Sequence, residues 1–269
     1  MRIQSRDQLR DIAHETVAIA ERGSYRVDDQ TIEIGAAVGR SVAGTRLYQP
    51  DEPVATPVSL VESPNVEVTA ESSLAASRRL GEGVACLVFA SARRPGGGFL
   101  NGVQTQEEDI ARNSALYACL RTVPDFYAHH RSHPELIYSD RIIYSPAVPV
   151  FRDDEGSLLP RPVSVSFLTA AAPNLAAVEQ SQPEHIADIP RILDRRIRRV
   201  LAVAAAHGHR KLVLGAWGCG VFGNDPATVA RAFAAALNDS PWFSNITFAI
   251  LDRRPHRPIH TTFDNILRG

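Results

Sequence analysis

Hydrophobic positions along this chain recur at strand spacing in some segments and at helical spacing in others, which predicts alternating strands and helices. Segment 84–90 is a continuous apolar run, which predicts a buried strand with both faces covered. Segment 191–206 places Leu193, Ile197 and Val200 on one face and arginines on the other, which predicts an amphipathic helix. The same patterns predict strands over 31–34, 66–68, 84–90, 141–144, 163–168, 212–214 and 246–251, and helices over 5–22, 71–80, 107–121, 191–206 and 227–237.

The order of these elements favours a layered α/β fold around a central sheet. We expect one domain over residues 1–269, a length that can bury a sizeable core. Residues 1–57 are too few to bury a core of their own easily, so we expect them to form an accessory layer on the main body. Segment 44–57 has three prolines and no periodicity, which predicts a connector, and segment 151–162 is predicted to be a polar hairpin or loop.

Composition narrows the class of protein. Hydrophobic residues make up 44% and charged residues 22% of the chain, and the formal net charge is −1, so no basic field indicates nucleic-acid binding. The three cysteines are far apart and form neither a disulfide framework nor a zinc pattern, and the nine histidines have no metal-ligand spacing. No apolar leader or membrane-length apolar segment is present, so we expect a cytoplasmic protein with no membrane partner.

The most informative motif follows the predicted strand over 84–90. Gly96, Gly97 and Gly98 leave a loop without side chains, whose backbone can lie against a ligand at the carboxyl end of a strand. Glu107 and Glu108 come at the start of the next predicted helix, and paired carboxylates suit acid–base chemistry on a sugar. The alternative is that the glycines serve only a tight turn and the helix dipole alone favours the acids.

A second glycine-rich loop follows the predicted strand over 212–214. It contains four glycines within residues 215–223 and leads into a helix that Asn224 or Asp225 can cap, which predicts a phosphate site. Cys219 could be a nucleophile, but no histidine lies near it in the sequence to activate it. Trp217 is expected to pack in the core, whereas Phe222 at the loop tip is expected to meet a ligand.

The first motif, a glycine triplet followed after seven residues by Gln106, Glu107 and Glu108, resembles the signature of poly(ADP-ribose) glycohydrolases. The flanking segments 89–95 and 114–117 resemble the compact bacterial-type members. That family is built on a macrodomain, so the resemblance implies a macrodomain-like three-layer sandwich with a mixed central sheet. The second loop resembles the diphosphate-binding loop of macrodomains.

The resemblance implies metal-independent hydrolysis of the ribose–ribose O-glycosidic bond of poly(ADP-ribose), without a cofactor. Glu108 is then the general acid and base, Glu107 holds ribose hydroxyls, and Phe222 packs on the ribose next to the bond that is cut. The substrate-binding residues are expected to be Gly96, Gly97, Gly98, Asn101, Gln106, Gly218, Cys219, Gly220, Val221, Phe222 and Gly223. Because the polymer is a polyanion, Arg93, Arg94 and Arg112 are candidates for local positive charge.

The expected partners are poly(ADP-ribose), ADP-ribose and the ADP-ribosylated proteins that carry the substrate, and the protein is expected to be a monomer. The residues that would contact adenine are the hardest to predict. Macrodomains usually support adenine with an aromatic residue near the end of the last strand, but residues 251–252 are not aromatic. Phe248 or Phe263 could substitute, or both could be core residues. Segment 252–263 carries three arginines and is expected to cap the adenine side, which would favour release of ADP-ribose from chain ends, although it could equally hold an extra phosphate of a continuing chain. Alternatively, it docks a final helix through Phe263, Ile266 and Leu267.

Three other functions remain open. A macrodomain that binds ADP-ribose without cutting it would gain nothing from two carboxylates beside a polyanion. A hydrolase of mono-ADP-ribose or O-acetyl-ADP-ribose would share the site. A nucleotide-sugar enzyme could use the same two loops for different chemistry.

Overall fold

Nine strands and ten α-helices make up the described part of the computed structural model, which covers residues 4–58, 61 and 63–268. The strands are β1 (Ser24–Val27), β2 (Gln30–Glu33), β3 (Arg46–Tyr48), β4 (Asn65–Thr69), β5 (Val84–Phe89), β6 (Ile142–Arg152), β7 (Leu158–Ala170), β8 (Lys211–Leu214) and β9 (Asn245–Ala249). The helices are α1 (Arg6–Arg22), α2 (Gly35–Gly44), α3 (Ser73–Leu80), α4 (Gln106–Asn113), α5 (Leu116–Leu120), α6 (Pro124–Ser132), α7 (Leu175–Ser181), α8 (Ile189–Ala206), α9 (Pro226–Asn238) and α10 (Pro258–Leu267).

Seven of these strands form one mixed sheet in the order β3-β6-β7-β5-β8-β9-β4. The five strands from β7 to β4 in that order are parallel, whereas β6 runs antiparallel to both β7 and β3. The carboxyl ends of the parallel strands therefore meet at one edge, where open α/β sheets bind ligands.

The central strand β5 shows why the sheet lies between two helical layers. Its alternate residues Ala85 and Leu87 pack in a core with α8, α9 and α10, whereas Cys86 and Val88 pack in a second core with α1, α4 and α6. Helices cover both faces of the sheet, which explains the unbroken apolar run of β5. The predicted three-layer fold with a mixed central sheet is confirmed.

The N-terminal segment packs closely on the main body. The capping box predicted for α1 forms: Ser5 Oγ accepts from the Gln8 backbone N–H, and Gln8 Oε1 accepts from the Ser5 N–H. Thr16 Oγ1 of α1 donates to the carbonyl oxygen of Arg112 at 2.6 Å. Strand β3 pairs with β6, so the segment 44–57 is not a plain connector as predicted. The single-domain interpretation remains a prediction with which these contacts agree.

Local differences from the sequence prediction have physical causes. The helix predicted over 107–121 breaks at Ser114, whose extended backbone pairs with Val150. Its hydroxyl donates to the Ile110 carbonyl and accepts from the Leu116 N–H, so side-chain hydrogen bonds replace those of the helix. Segment 151–162 is a hairpin, which is one of the two forms that the sequence predicts for it. Within the described residues, no helix has the length and apolarity needed to span a membrane.

Candidate active site

A cavity of about 620 Å³ opens over the carboxyl ends of the parallel strands. The first turn of α4 forms part of its wall, together with the segments that follow β4, β5, β8 and β9. Its wall includes Glu71, Ser72, Phe89, Ser91, Gln106, Glu107, Glu108, Asp109, Asn113, Asp154, Gly218, Gly220, Val221, Phe222, Leu251, Asp252, Arg253 and Ile259. The sheet therefore brings the acid-bearing helix and the second glycine loop to one site.

Glu107 is almost completely buried at 1% exposed. Its Oε2 atom accepts a hydrogen bond from the Ser91 N–H at 2.6 Å, whereas its Oε1 atom has no hydrogen-bond partner among the described residues. Burial raises the pKa of Glu107 well above its usual range, and the nearby charge of Glu108 raises it further, although backbone N–H groups oppose the shift. A buried carboxyl with one oxygen free of protein hydrogen bonds is suited to binding a polar ligand.

Glu108 lies beside it at 7% exposed, with both carboxyl oxygens held in place. The Gly98 N–H donates to Oε1 at 2.9 Å, and the Thr105 hydroxyl donates to Oε2. Thr105 precedes the first residue of α4, and its side chain makes no cap hydrogen bond to the helix backbone. Its hydroxyl instead orients Glu108.

The glycine triplet leaves no room for side chains, and at Gly97 the obstacle is the two carboxyls. A Cβ atom on Gly97, whose φ is +59°, would lie 2.2 Å from Glu108 Oε1 and 3.2 Å from Glu107 Oε2. A Cβ on Gly98 would lie 2.6 Å from Val103, and one on Gly96 would lie 3.0 Å from the Phe99 ring. The loop backbone thus packs against the acids, and the triplet is not part of the cavity wall.

Two further predicted site residues have different surroundings. Gln106 is in the wall, but its Oε1 accepts from the Phe89 N–H at 2.9 Å and its Nε2 donates to the Leu87 carbonyl at 2.8 Å. This amide therefore fastens the start of α4 to the end of β5. Asn101 is exposed outside the wall, and its carbonyl accepts from Arg6 Nε at 2.9 Å.

The second glycine loop supplies Gly218, Gly220, Val221 and Phe222 to the wall. Gly218 has φ +75°, and a Cβ there would lie 2.4 Å from Asn224 Nδ2, whereas no described neighbour lies within 4 Å of a Cβ built on Gly220. Asp225 caps α9 by accepting from the Thr228 N–H, and Pro226 is the first helical residue, as the sequence predicts. The loop thus leaves open space at a helix N-terminus, a suitable place for an anion.

Cys219 and Gly223 lie outside the cavity wall. Burial raises the pKa of the Cys219 thiol to about 12, which argues against a thiolate nucleophile. Trp217 is fully buried and its Nε1 donates to the Ala170 carbonyl at 3.1 Å, so it packs in the core as expected. Val221 is 81% exposed at the rim.

The remaining aromatic and cationic candidates are either buried or exposed outside the cavity wall. Phe248 and Phe263 are fully buried and pack near each other with ring centroids 5.8 Å apart, so both are core residues. Arg112 is buried, and it pairs with Asp109 at 2.7 Å and donates to the Leu9 carbonyl. Arg93 and Arg94 are exposed outside the wall.

Sequence reasoning missed several residues of the wall. Phe89, the last residue of β5, is an aromatic at the carboxyl edge of the sheet, and that position was the available signal. Asp109 lies one residue after the paired acids, and burial raises its pKa to about 6, although Arg112 opposes the shift. Arg253, which lies in the segment that the sequence predicts to cap the adenine side, also lines the cavity.

Comparisons with known proteins give the family of this chain. Residues 13–153 match the family model described as "Microbial-type PARG, catalytic domain". The chain is similar to poly(ADP-ribose) glycohydrolase from Thermomonospora curvata, with 47% identity, 97% of this chain and 99% of that chain covered, and a TM-score of 0.90. The same enzyme bound to the inhibitor ADP-HPD matches with 50% identity over 96% of this chain and 99% of that one, and a TM-score of 0.88.

The poly(ADP-ribose) glycohydrolase from Deinococcus radiodurans in complex with ADP-ribose is 44% identical, with 85% of this chain and 96% of that chain covered, and a TM-score of 0.79. A search of curated proteins gave no match. The family match and these whole-chain similarities show that the chain belongs to the microbial-type poly(ADP-ribose) glycohydrolases, enzymes that hydrolyse glycosidic bonds.

Proposed function

We propose that Glu108 is the general acid and base of poly(ADP-ribose) hydrolysis in this enzyme and that Glu107 holds the ribose hydroxyls. The observation that carries this proposal is the pair of buried carboxyls at the start of α4, in the wall of the cavity that the second glycine loop also lines. Consecutive residues of a helix point about 100° apart, so the two acids can serve different atoms of one ribose.

The reaction requires one proton to move in each direction. Protonated Glu108 gives its proton to the bridging ribose oxygen as the bond from that oxygen to the anomeric carbon breaks. The resulting carboxylate then takes a proton from water, and the water oxygen bonds to the anomeric carbon. The N–H of Gly98 and the hydroxyl of Thr105 keep the carboxyl of Glu108 in one orientation throughout.

Glu107 is better suited to binding than to proton transfer. The Ser91 N–H fixes its Oε2 atom, and Oε1 remains to accept a hydrogen bond from a ribose hydroxyl. The ionised form of Glu107 accepts this hydrogen bond. Because the pKa of Glu107 is raised, acidification should reduce ADP-ribose affinity at a higher pH than it would with an ordinary carboxyl.

The diphosphate is assigned to the second loop. Gly218 and Gly220 expose backbone there, a few residues before the N-terminus of α9, and a glycine loop of this kind can present N–H groups to an anion. Phe222, half-buried at the loop tip, is then placed beside the ribose. The adenosine is assigned to the opposite part of the wall, near Ser72 and Leu251.

The segment after β9 is proposed to favour release from chain ends. Asp252 accepts hydrogen bonds from the Ile259 N–H at 2.7 Å and from Arg254 at 3.0 Å, which folds the segment back along the cavity rim. Helix α10 then docks through the buried Phe263. A docked final helix is therefore compatible with the proposed cap, because the helix anchors the segment. Protein carriers, a monomeric state and a cytoplasmic location remain predictions.

Substitution of Glu108 tests the assignment. Glu108→Gln keeps the size of the side chain but cannot cycle a proton, so release of ADP-ribose from the polymer should fall by about 10²–10⁴ while ADP-ribose affinity stays close to that of the wild type. Glu107→Gln should reduce both. Chromatography of released ADP-ribose and titration calorimetry with ADP-ribose measure the two effects.

Retention of more than about a tenth of the activity in Glu108→Gln would assign the acid to another residue. The same assays separate the competing functions. A wild-type protein that binds ADP-ribose but releases none from the polymer would be a binding module rather than a glycohydrolase.

A further inference from the structure

Tyr127 is a buried titratable residue that the proposed reaction leaves without a role. It lies on α6 and is 2% exposed, and its hydroxyl has no hydrogen-bond partner among the described residues. Buried tyrosine hydroxyls usually have a partner, so this one calls for an explanation.

The Oε1 atom of Glu107 presents the complementary case. It is a buried acceptor for which the described part of the chain offers no donor, whereas the phenol of Tyr127 is a donor without an acceptor. One water bonded to both would satisfy both atoms.

The helices that carry the two residues, α6 and α4, both contact the same loop, residues 91–97. Arg131 of α6 donates from Nη1 to the Arg93 carbonyl at 3.0 Å, and Tyr127 lies one helical turn earlier on the same face. Glu107 reaches this loop from α4 through the Ser91 N–H at 2.6 Å. Burial raises the pKa of Tyr127 well above its usual range, and the charge of Glu107 adds to the rise, in agreement with their proximity.

We propose that Tyr127 is a positioning residue for Glu107, its hydroxyl donating a hydrogen bond to one water that donates in turn to Oε1. The inference rests on the proposed role of Glu107 in holding the ribose. The other titratable groups that face this pair are Glu108, on α4, and Tyr117, on α5. A carboxylate held in this way keeps one geometry for the ribose hydroxyls before the substrate arrives.

Tyr127→Phe tests the proposal because it removes one oxygen atom and keeps the ring. ADP-ribose affinity and kcat/KM are expected to fall about tenfold, the size of one hydrogen bond to a charged group. Loss of the donor should also raise the pKa of Glu107, so the acidic limb of affinity against pH should move to higher pH. Calorimetry with ADP-ribose at a series of pH values from about 5 to about 8 measures both changes.

Tyr25→Phe is the matched control. Tyr25 is also 2% exposed, but its hydroxyl donates to the Leu159 carbonyl at 2.7 Å outside the cavity wall. This variant should lose thermal stability and keep both the affinity and its pH profile. A purely structural role for Tyr127 would give the same outcome at Tyr127 and would overturn the proposal.

A second comparison separates this inference from the proposed function. In a Glu107→Ala background, which removes the acceptor, Tyr127→Phe should cause no further loss of affinity, and an equal further loss would refute the coupling. If the phenylalanine variant does not fold, proton NMR of the wild type replaces it, with a slowly exchanging tyrosine hydroxyl proton expected and its absence counting against the bond. Failure of the wild type to cut the polymer would instead refute the proposed function.

Discussion

Gly97 is the residue at which the first glycine loop and the proposed acid meet. A methyl group there would lie 2.2 Å from Glu108 Oε1 on a backbone with φ +59°, so Gly97→Ala should displace the carboxyl of Glu108. We expect kcat to fall by about 10²-fold or more, the usual contribution of an acid–base residue. Steady-state kinetics on the polymer measures kcat, and calorimetry measures ADP-ribose affinity separately.

Gly220→Ala is the control for this variant. No described atom lies within 4 Å of the added Cβ, and the position is far along the chain from the acids. Its kcat should therefore stay near that of the wild type, with any effect in the affinity. Equal loss of kcat in both variants would show that Gly97 does not act through Glu108.

For single residues, the sequence predicts which ones belong to the site better than it predicts what they contact. The triplet and the acids are conspicuous in the chain, but the sequence suggests that Gly97 faces a ligand. The structure places it against Glu107 and Glu108 instead, because the loop folds back on α4. Phe89 escaped prediction because a residue joins this site through the sheet order, which no local pattern contains.

Helix α6 holds a histidine that should make the fold sensitive to acid. His130 Nδ1 bonds the Phe126 carbonyl at 2.8 Å, and Nε2 lies 2.8 Å from the Ser139 hydroxyl. Burial lowers the pKa of His130 to about 4, and nearby positive groups add to the shift. Since histidine in an unfolded chain has a pKa of about 6.5, the unfolded state takes up the proton first, and stability is lost as pH falls from about 6.5 toward 4.

The expected cost at pH 4.5 is about 2–3 kcal/mol for this one group. Urea unfolding at pH 7.5 and at pH 4.5 measures the difference in the free energy of unfolding. His130→Gln should reduce that difference by this amount, whereas His14→Gln, at an exposed position, should leave it unchanged. Parallel pH dependence in wild type and His130→Gln would exclude the mechanism.

Elements with a strong hydrophobic period were predicted well, and polar or glycine-rich ones were not. Strand β5 and helix α8 agree with prediction to within two residues. Helix α2 contains three glycines that obscure its period, and α6 is short and polar, so neither was predicted. The break before α5 depends on pairing between Ser114 and Val150, a contact between residues distant in the chain.

For the whole molecule, the position of the segment after β9 decides how a polymer enters. If this segment closes the adenosine side of the cavity, only a terminal ADP-ribose fits, and early products on long polymer should be free ADP-ribose. Gel sizing of the remaining chains during the first tenth or so of the reaction measures this. Fragments of intermediate length at that stage would show cutting within the chain.

The unpaired polar atoms around the cavity have a consequence for attempts to make this enzyme more robust. The described residues contain seven buried side-chain atoms without a protein hydrogen-bond partner, among them Asn113 Oδ1 in the cavity wall and Thr69 and Thr169 near the carboxyl ends of β4 and β7. Each one that no water satisfies costs the folded state about 1–3 kcal/mol. A screen for heat resistance would therefore enrich substitutions at these positions, and its best survivors would include proteins that have lost the site.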